Sequence, residues 1–241
     1  MGKYFKIGGI LWVIGWLLLT ASAYGDTVTQ AAPPSRDAAY WKAQGDTFLN
    51  LGEYNQALDC YAQSLKLNAR QPDALFQLGN VWANLGDNQN ALDCYNQSLA
   101  LNPNNAKVWT AKGVLMESQD QLSLALQCYE SALSLDAGQS QAWLYKGIIL
   151  ARYGYDREAI DCFDRTLSLD SQSYLAWFHK AMVLNDGGDN QGALDCCNQA
   201  LTINPNFLAA WQLKAYLLDT LGFDSDAQAC RDKAASLVQH Y

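Results

Sequence analysis

The chain has 241 residues, of which 50% are hydrophobic and 17% charged, so it is long enough to bury a sizeable core. Its 16 lysines and arginines stand against 24 aspartates and glutamates, giving a formal net charge of −8. Because affinity for nucleic acids depends on clustered cations, this balance argues against a nucleic-acid partner.

The first 23 residues have the pattern of a secretory signal peptide. Lys3 and Lys6 form a basic start, residues 7–19 are mainly apolar, and Ala21-Ser22-Ala23 matches the small-x-small pattern of a cleavage site. The apolar stretch is shorter than the ~20 residues that a transmembrane helix needs. We therefore expect export to the extracellular space or cell envelope, with cleavage after Ala23. An uncleaved membrane anchor is the alternative.

Residues 24–37 are predicted to form a flexible linker. They contain Pro33-Pro34 and few large aliphatic side chains. If residues 1–23 were retained as an anchor, this linker would tether the rest of the chain at a distance from the membrane.

From residue 38 onward the sequence is a tandem repeat with a period of 34. Six of the seven cysteines recur at that spacing, namely Cys60, Cys94, Cys128, Cys162, Cys196 and Cys230. The period divides the chain into six units, 38–71, 72–105, 106–139, 140–173, 174–207 and 208–241. A constant period of this length indicates a repeat array.

Each unit begins with the pattern of an amphipathic helix. Its fourth residue is large (Trp41, Leu75, Trp109, Trp143, Trp177, Trp211) and its eighth is small (Gly45, Gly79, Gly113, Gly147, Ala181, Ala215). Its eleventh residue is again large (Phe48, Trp82, Met116, Leu150, Leu184, Leu218). The spacing of i, i+4 and i+7 places these residues on one helical stripe.

A turn and a second helix complete each unit. The turn is predicted at Gly52, Gly86, Gly154, Gly188 and Gly222, with Asp120 in the equivalent place of the third unit. The twentieth residue is always alanine, and the twenty-fourth is an aromatic ring in Tyr61, Tyr95, Tyr129 and Phe163. Such a helix pair cannot bury its apolar faces alone and must stack on its neighbours.

These residues resemble the tetratricopeptide repeat (TPR) family. Trp at position four, Gly at eight, Ala at twenty, an aromatic at twenty-four and Pro at thirty-two (Pro103, Pro205) agree across residues 38–241. Cys197 and Arg231 depart from the pattern at the aromatic position, and Ala137 and Ser171 at the proline. The resemblance implies an all-α, right-handed α-solenoid of six helix-turn-helix units. In relatives its first helices line a concave groove that holds peptides or protein segments.

The resemblance also assigns groove positions, which are the second, fifth, sixth, ninth, twelfth and thirteenth residues of each unit. The early units present mixed polar groups there, with Lys42, Asp46, Asn50, Asp73, Gln77, Asn80, Asn84 and Lys107. Units four to six present apolar groups at several of these positions, with Leu144, Tyr145, Ile148, Leu175, Phe178, Met182 and Tyr216. We therefore expect a protein or peptide partner with a hydrophobic or amphipathic segment, bound at the late units. The alternative is that these side chains pack against the adjacent helix.

A second groove type from the same family fits poorly. Some relatives grip a C-terminal carboxylate with cations and asparagines, and Lys42 and Lys107 match two of those places. Asp46, Gln77 and Ala111 do not match, and an aspartate would repel the carboxylate.

The repeated cysteines are predicted to be packing residues. Equivalent positions in stacked helix pairs are about two interaxial distances of 8–10 Å apart, whereas a disulfide needs Cα atoms within ~7 Å. Redox sensing is the alternative, but the acidic neighbours Asp59, Asp93, Asp161 and Asp195 would raise a thiol pKa and so lower its reactivity. Only two histidines, His179 and His240, are present, so a metal site is not expected.

No catalytic motif is recognisable, and no cofactor site is expected. The sequence predicts a non-catalytic scaffold or adaptor that binds another protein. The alternative is a self-associating structural array in the cell envelope, because relatives commonly add a polar capping helix that the sequence does not show after residue 241.

Overall fold

The computed structural model describes residues 36–238. Within this range the chain forms twelve α-helices and no strand, which confirms the predicted all-α solenoid of six helix pairs. The helices are α1 (Ala38–Asn50), α2 (Tyr54–Leu67), α3 (Pro72–Asn84), α4 (Asn88–Leu101), α5 (Ala106–Ser118), α6 (Leu122–Leu135), α7 (Ser140–Arg152), α8 (Asp156–Leu169), α9 (Tyr174–Asp186), α10 (Asn190–Ile203), α11 (Leu208–Thr220) and α12 (Asp224–Val238). The predicted signal peptide, nearly all of the linker and His240 lie outside the described residues.

The first helix of each pair ends in a turn that reverses the chain. Gly52 has a φ of 74°, and Asp120 adopts the same left-handed region with a φ of 56°, as predicted for both. The N–H of Glu53 donates to the carbonyl of Phe48 at 2.9 Å, so the turn satisfies a carbonyl at the helix end. The turn therefore sets α1 and α2 antiparallel, and the other five units repeat it.

The first helices lie on the inner side of the array. Each one contacts the first helix of the next unit, from α1 with α3 through α9 with α11, whereas the second helices of the described chain do not contact one another. A stack whose inner helices touch while the outer ones are separated is curved, with the odd-numbered helices on the concave face. The groove positions that the family resemblance assigns belong to these helices and therefore lie on the concave face.

Tryptophan at the fourth position joins successive units. The indole N–H of Trp109 donates to the carbonyl of Pro103 at 3.0 Å, and that of Trp143 donates to the carbonyl of Ala137 at 3.0 Å. Trp177 and Trp211 make the same bond to Ser171 and Pro205. Because the acceptor is a backbone carbonyl, the preceding unit can carry proline, alanine or serine there.

Lysine at the seventh position forms a second link between units. Lys146 pairs with Glu130 of the preceding unit at 3.1 Å, and Lys180 pairs with Asp164 in the same way. Lys112 donates to Asn96 at 2.9 Å. These exposed pairs stabilise the array by at most about 1 kcal/mol each. They engage three of the chain's 16 lysines and arginines.

The described residues contain no helix that is both long enough and apolar enough to span a membrane.

Candidate partner-binding site

The concave face carries a hollow of about 680 Å³ between α3, α5 and α7, here called the inner hollow. It is lined by Phe76, Asn80, Ala83, Gly86, Asn88, Tyr95, Lys107, Thr110, Ala111, Val114, Leu115, Ser118, Gln139, Gln141 and Tyr145. Most of these residues occupy the groove positions that the family resemblance assigns. The volume lies within the ~300–1,000 Å³ that ligand sites in proteins commonly have.

The floor of the inner hollow is held by a buried tyrosine. The hydroxyl of Tyr95 donates to Oδ1 of Asn80 at 2.8 Å, and the Asn80 amide donates to Oε1 of Gln77 at 2.9 Å. The Phe76 ring packs on the Tyr95 ring with centroids 6.0 Å apart. Burial is the main cause that raises the pKa of Tyr95. The hydroxyl therefore stays protonated and fixes the Asn80 side chain at the surface of the hollow.

One wall is the ring of Tyr145, which stacks on the buried Tyr129. The rings of Tyr129 and Tyr145 lie 5.8 Å apart with an interplanar angle of 20°. The Tyr129 hydroxyl donates to Oε2 of Glu117 at 2.9 Å. Tyr145 is half-buried and lines the hollow, so stacking on Tyr129 presents its ring in a fixed orientation. Such a preorganised ring loses little conformational entropy on binding.

The lining also offers apolar surface beside polar groups. Val114 is 38% exposed on α5, and Lys107 and Gln141 are exposed at the rim. Gln139 donates to the carboxylate of Asp136, and this bond is the main cause that holds the pKa of Asp136 below its usual value. The rim therefore places an ammonium group near a carboxylate that stays ionised.

The apolar residues predicted for binding at units four to six are largely used for packing. Leu144 is only 6% exposed and belongs to the hydrophobic core, so the prediction that it offers free surface is corrected. Ile148 and Leu175 are half-buried against the same cluster. The Phe178 ring lies 4.8 Å from Phe207, which projects from the turn before α11. Superhelical packing thus buries Leu144 and partly covers Ile148, Leu175 and Phe178.

Two residues of the predicted late set are free at the surface. Met182 is 41% exposed and Tyr216 is 57% exposed. They occupy the ninth position in units five and six, equivalent to Val114 in unit three. Tyr145 joins the inner hollow instead. The exposed apolar groups of the concave face therefore continue from the inner hollow toward the later units, but as single side chains.

The predicted polar residues divide in a similar way. Lys42 pairs with Asp46 at 2.7 Å, and Asp46 also accepts the Tyr61 hydroxyl at 2.8 Å. Asn84 donates to the Asn80 carbonyl at 2.8 Å and accepts from Tyr54 at 3.2 Å. Lys107 and Asn80 line the inner hollow, while Lys42 and Asn84 are engaged within the array.

Several residues of the inner hollow were not singled out from the sequence. Phe76 and Gln141 occupy the fifth and second positions, which the family resemblance assigns to the groove, and Val114 occupies the ninth. The repeat pattern identifies Tyr95 only as the aromatic residue of the twenty-fourth position. The sequence signal that could have placed Tyr95 beside the groove is the polar ninth residue, Asn80. A buried tyrosine hydroxyl needs an acceptor nearby, and Asn80 can supply one.

All seven cysteines are buried thiols, which agrees with a packing role. Burial raises the pKa of Cys94 to about 11 and that of Cys197 to about 12, so neither thiol is ionised near neutral pH. His179 lies between the rings of Phe163 and Phe178, and burial lowers its pKa. Across residues 36–238, no three metal-ligating side chains are arranged to hold an ion.

Comparison with solved structures finds similar helical arrays. Pseudomonas aeruginosa pilF superposes with a TM-score of 0.73 at 19% identity, covering 83% of this chain and 88% of that one. YrrB, described as a TPR protein with an unusual peptide-binding site, gives 0.58 at 22% identity over 73% and 91% of the two chains. MamA gives 0.62 at 20% identity over 68% and 95%. At these identities the similarity shows the fold alone.

Comparison with curated proteins finds no significant match. Models of the tetratricopeptide repeat match residues 42–106 and 157–206, and a second such model matches residues 94–127. Together they cover more than half of the sequence. With the 34-residue helix pairs and the inner face described above, these matches show that the chain belongs to the tetratricopeptide repeat family.

Proposed function

We propose that this chain is a non-catalytic adaptor that binds an amphipathic segment of another protein in the inner hollow. Tetratricopeptide repeat proteins are in general scaffolds that bind proteins or peptides. The observation that carries the proposal is the inner hollow itself, in which the exposed Val114 stands among fixed amide groups and a lysine. The centre of the site is therefore units two to four.

The chemistry of the lining favours a particular kind of segment. Val114, Phe76 and the Tyr145 ring accept an aliphatic or aromatic side chain. The amides of Asn80 and Gln141 can bond to the backbone of a bound peptide, which has both donors and acceptors. Lys107 at the rim favours an acidic residue at the edge of the segment. Met182 would extend the apolar contact for a longer ligand.

The expected affinity is modest. Burying roughly 400 Å² of apolar surface yields about 10 kcal/mol at ~25 cal/mol per Å². Association costs of ~4–15 kcal/mol consume most of that gain, so we expect dissociation constants near the micromolar range. Such binding suits an adaptor that exchanges partners.

The test uses peptide selection on the purified full chain. A displayed library of random 12-residue peptides is enriched on the protein, and the Kd of enriched peptides is measured by fluorescence anisotropy. Val114→Gln should weaken binding by about tenfold, the usual effect of losing a hot-spot side chain. Lys107→Glu should weaken the binding of peptides that carry an acidic residue and leave the Kd of neutral peptides unchanged.

Leu101→Gln is the matched control. Leu101 is 37% exposed at the end of α4, does not line the inner hollow and has nearly the same exposure as Val114. The control should bind the selected peptides as the unmodified chain does. Failure to enrich any peptide, or equal losses from Val114→Gln and Leu101→Gln, would contradict the proposed site.

We also propose that the protein is exported, on the support of the basic, apolar and small-residue pattern of residues 1–23. Intact mass of the native protein tests this proposal. A mass that begins at Tyr24 supports cleavage, and a membrane-bound species retaining Met1 supports the anchor. A soluble cytoplasmic species retaining Met1 would contradict export in either form.

A further inference from the structure

The last described helix pair, α11 and α12, has a second hollow on its outer face, here called the end hollow. It has a volume of about 440 Å³ and is lined by Leu208, Gln212, Ala215, Tyr216, Asp219, Arg231, Ala234, Ala235 and Val238. It lies on the face of α11 and α12 that corresponds to the stacking face of the earlier units. Within residues 36–238 no other helix covers it.

The equivalent surface of an earlier unit shows what this face can do. Ala200 and Leu201 on α10 are buried beneath α11 in a cluster with Ala210. The corresponding residues of α12 are Ala234 and Ala235, and Ala235 is exposed. Val238, 59% exposed, stands where Asn204 stands in the preceding unit. The end face therefore keeps an apolar surface built for helix packing, with a cavity where a leucine would be.

The opposite end of the array does not match this face. Inner helices carry a buried aliphatic residue at the tenth position, which is Val81, Leu115, Ile149, Val183 or Leu217. In α1 that place is taken by Thr47, which is exposed. The Thr47 hydroxyl donates to the carbonyl of Ala43 at 2.9 Å, so its burial leaves no unsatisfied group, but threonine is smaller and less apolar than valine, leucine or isoleucine. Docking α1 onto the end hollow would therefore bury less apolar surface than the internal contacts of the array do. Head-to-tail stacking of two copies is therefore disfavoured.

The charges of the end face suit a second copy of the same face. Arg231 forms an ion pair with Asp219, and both side chains line the end hollow. Arg231 also donates to Oε1 of Gln228 at 3.1 Å. The face is thus neutral, although the chain as a whole has a net charge of −8. Two such faces do not repel each other, and the exposed Arg231 and Asp219 can exchange partners with those of the second copy across a two-fold axis.

We propose that the end face is the interface of a two-fold dimer of this chain. A two-fold contact joins the same patch on both copies, so a projecting residue must find a cavity on the equivalent surface. Tyr216 is 57% exposed at the edge of the end hollow, and its ring is the projecting group. In the dimer, the Tyr216 ring of each copy enters the end hollow of the other.

The size of the face sets the strength of the dimer. Helices of 13 and 15 residues are about 20 Å long at 1.5 Å per residue, and with a spacing of 8–10 Å they present a face of roughly 400 Å². Two such faces bury roughly 800 Å² in total, which is below the ~1,200–2,000 Å² of stable specific interfaces. The dimer is therefore weak and transient, and we expect a Kd of about 10–100 µM. The dimer would present two inner hollows, and a partner carrying two copies of the bound segment would then bind with avidity.

Sedimentation equilibrium of the full chain tests the proposal between about 1 and 500 µM, a range that brackets the expected Kd. The weight-average mass should rise from one chain toward two. Arg231→Glu replaces the neutral pair by like charges on both copies and should raise the dimer Kd by about tenfold or more. Arg157→Glu is the matched control, because Arg157 is exposed on α8 away from the end face, and it should dimerise normally.

A second variant and a truncation keep the result decisive if Arg231→Glu folds poorly. Tyr216→Ser removes the exposed ring and should abolish dimerisation with the helical circular dichroism unchanged, whereas Met182→Ser at the equivalent place in unit five should not. A monomer throughout the range overturns the proposal. Equal weakening of the dimer by Arg231→Glu and Arg157→Glu also overturns it. A dimer that forms only after truncation at Val238 does so as well, because the chain's own last residues would then occupy the end hollow.

Discussion

Gly113 in α5 and Tyr129 in α6 pack so closely that a Cβ added to Gly113 would lie 2.5 Å from Cε1 of Tyr129. Non-bonded carbon atoms prefer about 3.5–4.0 Å, so only a hydrogen fits there. The same closeness joins Gly45 to Tyr61, Gly79 to Tyr95, and Gly147 to Phe163. Where the ring is replaced by Cys197 or Arg231, the eighth residue is Ala181 or Ala215. A larger side chain at the eighth position of a unit is therefore accompanied by the loss of the aromatic ring at the twenty-fourth.

Gly113→Ala should destabilise the array. Overpacking costs about 1–3 kcal/mol, and the higher helix propensity of alanine returns about 0.5–1 kcal/mol. We expect a net loss of about 1–2 kcal/mol in the free energy of unfolding, measured by urea titration with circular dichroism.

The matched comparison places the same change beside a smaller residue. In the Tyr129→Cys background, which reproduces the pairing of Ala181 with Cys197, Gly113→Ala should be neutral or stabilising. A destabilisation of the same size in both backgrounds would show that the ring is not the cause.

The Tyr129 hydroxyl provides a second prediction. It donates to Glu117 at 2.9 Å, and Tyr129→Phe leaves this half-buried carboxylate without that donor. We expect a loss of about 1–2 kcal/mol in unfolding free energy, because bonds to charged groups exceed the usual value. Tyr54→Phe is the control, since its hydroxyl makes an exposed bond of 3.2 Å to Asn84. The control should change stability by less than about 0.5 kcal/mol.

The same contact explains how the inner face changes along the array. Tyr61, Tyr95 and Tyr129 each donate to an acidic or amide group on the first helix, which is Asp46, Asn80 or Glu117. In unit four the ring is Phe163, which needs no acceptor, and the ninth residue is Ile148. The polar character of the early groove positions thus partly serves the core and not a ligand.

The fold could be predicted from the sequence because its determinants recur in every unit. The period, the small eighth residue and the residue of positive φ define each helix pair, even where Asp120 replaces glycine. The site was less predictable, since a groove position faces both the cavity and the next helix. Phe178 is covered because Phe207 happens to be large, whereas Val114 stays exposed in the hollow. That outcome depends on neighbouring side chains in three dimensions, which periodicity does not specify.

The buried thiols predict a loss of stability at alkaline pH. Burial, followed by the nearby Asp93 carboxylate, raises the pKa of Cys94 from 9.0 to about 11. A thiol whose pKa is raised on folding ionises first in the unfolded chain as the pH rises. Its contribution is therefore complete below about pH 9 and is lost between about pH 9 and 11. Burial also raises the pKa values of Tyr61, Tyr95 and Tyr129, which adds to the loss above about pH 10.

Cys94→Ala isolates one of these thiols. The unfolding free energy of the unmodified chain, measured in reductant, should fall between about pH 8 and pH 10, and the fall should be about 1 kcal/mol smaller in Cys94→Ala. Leu99→Ala on the same helix is the control. It should lower stability at both pH values and leave the difference unchanged. An equal fall in the unmodified chain and Cys94→Ala would contradict the assignment.

Phe178 and Met182 separate packing from binding on the late concave face. The Phe178 ring contacts Phe207 at 4.8 Å and His179 at 5.5 Å between ring centroids, whereas Met182 is 41% exposed. Phe178→Ser should therefore lower the unfolding free energy by about 2–4 kcal/mol, near the cost of truncating a core aromatic. Met182→Ser should cost less than about 0.5–1 kcal/mol, because its side chain makes fewer contacts. Thermal unfolding of both variants decides between the two roles. If Phe178→Ser left the melting temperature unchanged and weakened a selected peptide, the ring would be free to bind, and the partner site would extend into units five and six as the sequence pattern predicts.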